Sequence, residues 1–83
     1  MDPQKNDLTE QEELKILGEI LEVYIDTPIE KDAFLISDLG LDSFLIVYFI
    51  SEVDDRFGVT IEMPEHVEYM TVQDVLDQLN QKN

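Results

Sequence analysis

DLGLDSFLIVYFI, residues 38–50, sets seven consecutive apolar side chains, Phe44 to Ile50, directly behind an Asp-Ser pair. Such a run fits a buried strand or a helix buried all round, and its internal pattern does not separate the two. The residues that follow decide. In SEVDDRF, Val53 and Phe57 extend the i, i+3, i+4 spacing of Ile46, Phe49 and Ile50, so the run opens a helix. At about 100° per residue from Ser43, those five side chains fall within an arc of roughly 240° to 340°, which defines a core stripe. Phe44, Val47, Tyr48, Ser51 and Asp55 occupy a second arc, between about 40° and 140°, and Leu45 stands apart near 200°. A small helical domain does not bury every side of one helix, so the second arc is expected to remain partly exposed, rimmed by Asp54 and Asp55. An apolar patch with a charged rim has the composition of a partner-binding surface. The alternative is that the preceding loop or the last helix covers these side chains.

Working outward, the chain before residue 38 opens a helix at Thr9. Thr9 and Glu12 match the T-x-x-E capping box, and Glu10, Glu12 and Glu13 suit the positive end of a helix. Leu14, Leu17, Leu21 and Tyr24, with Ile16 and Ile20 beside them, carry helical spacing as far as Asp26-Thr27-Pro28, where the residue before proline disfavours continuation. Residues 26–42 then form a connection of about 17 residues, longer than is usual in a compact domain. Its Ile29, Phe34, Leu35, Ile36, Leu39 and Leu41 make it a loop pinned to the core, with Gly40 permitting a turn ahead of Asp42 and Ser43. Near the other end, Val72, Val75, Leu76 and Leu79 fall at i, i+3, i+4 and i+7 behind Thr71, which with Asp74 forms a weaker capping box. Between these helices the segment P-E-H-V-E-Y, residues 64–69, is suited to one short helical turn.

Composition narrows the functional classes. Of 83 residues, 20 are acidic and 5 basic, a formal net charge of −15, which repels nucleic acid and favours basic partners. No cysteine is present, so disulfides, thiolate metal sites and cysteine nucleophiles are excluded. The longest apolar run has seven residues, far short of the roughly 20 that span a bilayer, and the polar N-terminus has no apolar signal core. A soluble cytoplasmic protein is expected, as one domain over residues 1–83 with an ordered core at about 8–80 and polar tails at both ends. No Ca²⁺-loop pattern and no G-x-S-x-G elbow occur, and the sole histidine, His66, is expected at the surface, so neither a metal site nor a catalytic serine is expected. Asp42 and Ser43 both belong to the preferred helix N-cap set, so a serine here is also consistent with capping alone.

The stretch D-L-G-L-D-S-F, Asp38 to Phe44, resembles the acyl carrier protein family, whose attachment motif is typically D-L-G-x-D-S-L. Asp38, Leu39, Gly40, Asp42 and Ser43 match, and Phe44 replaces the usual leucine. Phe57, Ile61 and the T-V-x-D of Thr71, Val72 and Asp74 recur at the family's spacing, so the similarity covers roughly residues 12–80. The resemblance implies an all-α, four-helix bundle, three longer helices and one short, right-handed, with a long loop between helices one and two. It also implies a discrete, monomeric carrier that is not an enzyme. Ser43 would bear a covalent 4′-phosphopantetheine from coenzyme A, added by a separate phosphopantetheinyl transferase, with Gly40, Asp42 and Phe44 around it. Acyl intermediates of fatty-acid, polyketide or specialised pathways would ride on the arm as thioesters, handed on by loading enzymes and downstream synthases. Partners would dock on Asp38, Phe44, Leu45, Val47, Tyr48, Ser51, Asp54 and Asp55. One departure stands out: positions 45 and 48, often acidic in fatty-acid carriers, are apolar here, which points to dedicated partners with a more apolar contact surface. An aminoacyl carrier shares the same serine and fold, and a plain helical adaptor binding through Phe44, Val47 and Tyr48 is the reading from a different class.

Overall fold

The structure, a computed structural model, describes residues 9–80, so the polar tails expected at both ends lie outside the described residues. Helices joined by loops make up the described chain: α1 spans Glu10–Leu21, α2 Ser43–Phe57 and α3 Val72–Leu79, with a single 3-10 turn at Val67–Tyr69 and an isolated antiparallel bridge between Phe34 and Thr71. Where a short fourth helix was expected at residues 64–69, this turn occupies only the last three positions. The chain leaves it in extended backbone at Met70 (ψ 134°), because Met70 is buried and its carbonyl is taken by the Leu35 N–H.

Each helix starts where its side chains can satisfy orphan backbone donors. Thr9 and Glu12 form a reciprocal capping box at α1, and Thr71 and Asp74 form one at α3. The first helix stops earlier than its apolar spacing suggests. Tyr24 and Ile25 both donate to the Leu21 carbonyl, so residues 22–24 are a turn rather than a further helical turn. Tyr24, expected on the core stripe, is consequently half exposed.

The core joins the stripes of all three helices with the long loop. Leu17, Ile20 and Leu21 of α1, Ile46, Phe49 and Val53 of α2, and Val72, Val75, Leu76 and Leu79 of α3 are buried together with Ala33, Leu35, Leu39 and Leu41 of the loop. Ile50 and Phe57, the outer members of the expected α2 stripe, pack against this cluster but remain partly exposed. Burying a leucine or phenylalanine side chain contributes about 1.5–3 kcal/mol, so the loop leucines matter as much as those of the helices.

The loop is held to α3 by backbone as well as side chains. Leu35 N–H donates to Met70 O at 3.0 Å, Val72 N–H to Ala33 O at 3.0 Å and Gln73 N–H to Lys31 O at 2.8 Å. Around this staple one carboxylate ties three elements: Glu10 accepts from Lys31 Nζ at 3.0 Å and from Gln73 Nε2 at 3.2 Å. The Lys31 bond, then the Gln73 bond, hold the Glu10 pKa below its usual value. On the opposite flank of α3, the Gln78 amide makes a two-way clamp on Glu62, accepting from its N–H at 2.8 Å and donating to its carbonyl at 2.9 Å.

Glu13 is the buried charged side chain of the core, with no exposed surface. It sits at i, i+4 and i+7 with Leu17 and Ile20, and accepts from Asn80 Nδ2 at 2.9 Å. Burial raises its pKa, the Asn80 bond opposes that, and the nearby Glu10 charge adds to it. Because the folded value lies above the unfolded one, folding favours the protonated acid. That contribution is full below the model-peptide value of 4.5 and is lost as pH rises through the raised folded value. Glu13→Gln keeps an acceptor oxygen for Asn80 and removes the titration. Denaturation at a series of pH values should show the variant gaining stability relative to wild type from acid to neutral pH; parallel curves would contradict this. Gly18, inside α1, has room for a Cβ at 3.5 Å from Ile29 Cγ1, so Gly18→Ala should raise stability by about 0.5–1 kcal/mol, measured by the same method.

Candidate functional site

The approach to α2 is a hydrogen-bonded turn. Phe34 N–H donates to the Asp38 carboxylate at 2.8 Å, while the Asp38 and Leu39 N–H groups return to Phe34 O at 3.1 Å. Gly40 then takes φ 72°, in the left-handed region that favours glycine, so that its N–H reaches Ile36 O and the Leu41 N–H reaches Leu35 O. Leu39 and Leu41 point into the core on either side of it. The chain therefore arrives at residue 42 anchored on both sides of one glycine.

Asp42, not Ser43, caps α2. Its carboxylate accepts from Leu45 N–H at 2.9 Å, and its extended backbone (φ −100°, ψ −176°) marks it as the residue outside the helix. Ser43 is thus the first helical residue and is exposed. Among the described residues, no hydrogen bond engages its hydroxyl. An exposed, unengaged hydroxyl on the first turn of a 15-residue helix faces the positive end of the helix dipole, where a phosphodiester is favoured. The residues present thus fit an attached phosphate ester: a free nucleophilic oxygen, an occupied cap and open space around it.

The docking residues expected from sequence divide into three groups. Phe44 and Val47 are 68% and 64% exposed, so neither the loop nor the last helix covers them, and Ser51, Asp54 and Asp55 are exposed along the same side of α2. Leu45 and Tyr48, in contrast, are half-buried and pack against the core. Leu45 lies one helical turn before the buried Phe49, on the margin of the core stripe. Tyr48 is covered on one side by Tyr24, whose ring meets it edge-on at 5.0 Å. Asp38 and Asp42 are exposed, yet both carboxylates are engaged by backbone N–H groups, which gives them structural roles. His66 lies at the surface with Nδ1 3.5 Å from Glu68, well away from any serine-base arrangement in sequence or hydrogen bonding. Sequence reasoning missed the exposure of Val23 and Tyr24, whose apolar spacing is continuous with α1.

Comparison with known proteins agrees with this geometry. A family model described as "Phosphopantetheine attachment site" matches residues 14–79, from the first turns of α1 to the end of α3. The chain belongs to the phosphopantetheine-binding acyl carrier protein family. An acyl carrier protein of Buchnera aphidicola subsp. Schizaphis graminum is 32% identical over 69 residues, 83% of this chain and 86% of the relative. An acyl carrier protein of Syntrophus aciditrophicus is 31% identical over 74 residues, 89% of this chain and 91% of the relative. No solved structure matches. The carrier family's prosthetic group is a covalently attached 4′-phosphopantetheine, and membership brings that group to this chain. Among the described residues no helix is long and apolar enough to cross a membrane.

The division between cap and hydroxyl is open to a direct measurement. Asp42→Ala should lower stability by about 1 kcal/mol, as loss of a helix cap does, while Ser43→Ala should leave it within about 0.5 kcal/mol. Equal losses in chemical denaturation would show that Ser43 shares the capping role.

Proposed function

We infer that this chain is a discrete acyl carrier protein in which Ser43 is the attachment point of 4′-phosphopantetheine, with Gly40, Asp42 and Phe44 shaping the surface around it. The observation that supports this most is the assignment of the helix cap to Asp42, which leaves the Ser43 hydroxyl exposed at the first turn of α2. A separate phosphopantetheinyl transferase makes the modification: Ser43 Oγ gives up its proton and bonds to the phosphorus that bears the pantetheine arm of coenzyme A, and adenosine 3′,5′-bisphosphate leaves. The group supplies the terminal thiol that a chain without cysteine lacks. The chain itself catalyses nothing. Its role is to present an arm, soluble in the cytoplasm as a monomer, to loading enzymes and synthases of a fatty-acid, polyketide or specialised acyl pathway. Its architecture is the family's four-helix bundle, with Val67–Tyr69 standing for the short helix.

Docking centres on α2 and the turn before it, at Asp38, Phe44, Leu45, Val47, Tyr48, Ser51, Asp54 and Asp55. Exposed Phe44 and Val47 at the base of the helix, with acids only at its ends, support partners whose contact surface is more apolar than that of general fatty-acid enzymes.

Incubating the apo protein with coenzyme A and a broad-specificity phosphopantetheinyl transferase should add the mass of one phosphopantetheinyl unit to the intact chain. Ser43→Ala should stay at the apo mass. An unmodified wild-type chain would overturn the carrier reading and leave the adaptor reading in its place.

A further inference from the structure

Outside the attachment turn, the surface holds one apolar patch built from two elements. Tyr24, 50% exposed, lies edge-on to Tyr48 at 5.0 Å, and Val23 beside it is 72% exposed. Phe44 stands one helical turn before both Val47 and Tyr48, so these three side chains of α2 and the two of the α1 exit turn make one two-element face of five exposed or half-exposed side chains. Turn geometry, rather than helix, puts Tyr24 there, because α1 ends at Leu21.

The rim of this face is predominantly acidic. Glu22 and Asp26 flank Val23 and Tyr24, Asp42 precedes Phe44, and Asp55 continues the Val47–Ser51 row by one turn; all four are exposed. Of the basic side chains, Lys31 is paired with Glu10 and Arg56 with Glu52, while Lys15 lines the same shallow depression as Glu22 and Asp26. With a net charge of −15, two copies repel each other, which argues against self-association through this face.

We propose that enzymes acting on Ser43 and its arm dock across both elements, seating the α1 exit turn, Val23 and Tyr24, together with Phe44, Val47 and Tyr48. The complementary partner surface is an apolar floor bordered by Lys and Arg. The inference rests on the carrier reading, since any enzyme that reaches Ser43 Oγ must cover the adjacent first turn of α2. Tyr24 is a specificity-determining contact in it: its ring widens the apolar floor and, by bracing Tyr48, holds the shape of the face.

The test uses the apo chain and a phosphopantetheinyl transferase, with initial rates of mass gain read over a range of carrier concentrations. Val23→Ser and Tyr24→Ser should each raise KM by about 5-fold or more, the size of a hot-spot truncation, with kcat little changed. Tyr24→Phe should retain the wild-type KM, as should Tyr69→Ser, which removes a more exposed ring at the 3-10 turn. Added salt should raise KM for the wild type. Val23 is 72% exposed, so its variant separates docking from folding. If Val23→Ser and Tyr24→Ser are modified with the same KM as Tyr69→Ser, the two-element surface is wrong while the carrier reading survives. If the wild type itself gains no mass, both fall.

Discussion

The pairing of residues 31–35 with residues 70–73 is the constraint on which the rest of this small protein depends. Three backbone hydrogen bonds join the loop to the entry of α3, and two of them satisfy N–H groups of the first turn of α3 that have no partner inside the helix. The same contact turns Leu35 inward and brings Leu39 and Leu41 to the core. Without it, a connection running from residue 22 to residue 42 would leave three short helices to close a core by themselves, and chains of this length have little apolar surface to spare. The acidic self-repulsion of the chain makes each such contact more valuable, since it opposes the compact state throughout.

From that anchor the site follows in a chain of local causes. Leu39 and Leu41 are fixed in the core, so Gly40 between them must bend with a positive φ; Asp38 closes the turn from below, and Asp42 emerges where it can cap α2. One residue further on, Ser43 has no capping duty. The motif D-L-G-L-D-S thus combines two carboxylates engaged by backbone donors, two buried leucines and one glycine, all of which serve to present a single hydroxyl. Its acids are scaffold first, since both carboxylates accept backbone N–H groups.

Several features were legible before any coordinates. Both capping boxes, at Thr9–Glu12 and Thr71–Asp74, form as their spacing implies, because a cap is satisfied within four residues and needs no tertiary information. The apolar run resolved into a helix whose buried side is Ile46, Phe49 and Val53, since helical periodicity outlasts the run itself. The burial of Glu13 was not legible: the sequence places it with Glu10 and Glu12 at the positive end of α1, whereas it shares the i, i+4, i+7 stripe of Leu17 and Ile20 and accepts from Asn80 at the far end of the chain.

By itself the sequence determined the helical class, the capping boxes of α1 and α3, the core side of α2 and the family to which the attachment motif belongs. Each of these depends on residues close together along the chain. Tertiary structure alone decided that α1 ends at Leu21, that residues 64–69 yield only a 3-10 turn, that Asp42 rather than Ser43 caps α2, and that Tyr48 is braced by Tyr24 instead of standing open. The reason is common to all four: local patterns left two or more acceptable geometries, and the choice was made by contacts between segments far apart in sequence or by which of two neighbouring side chains first met its backbone donor.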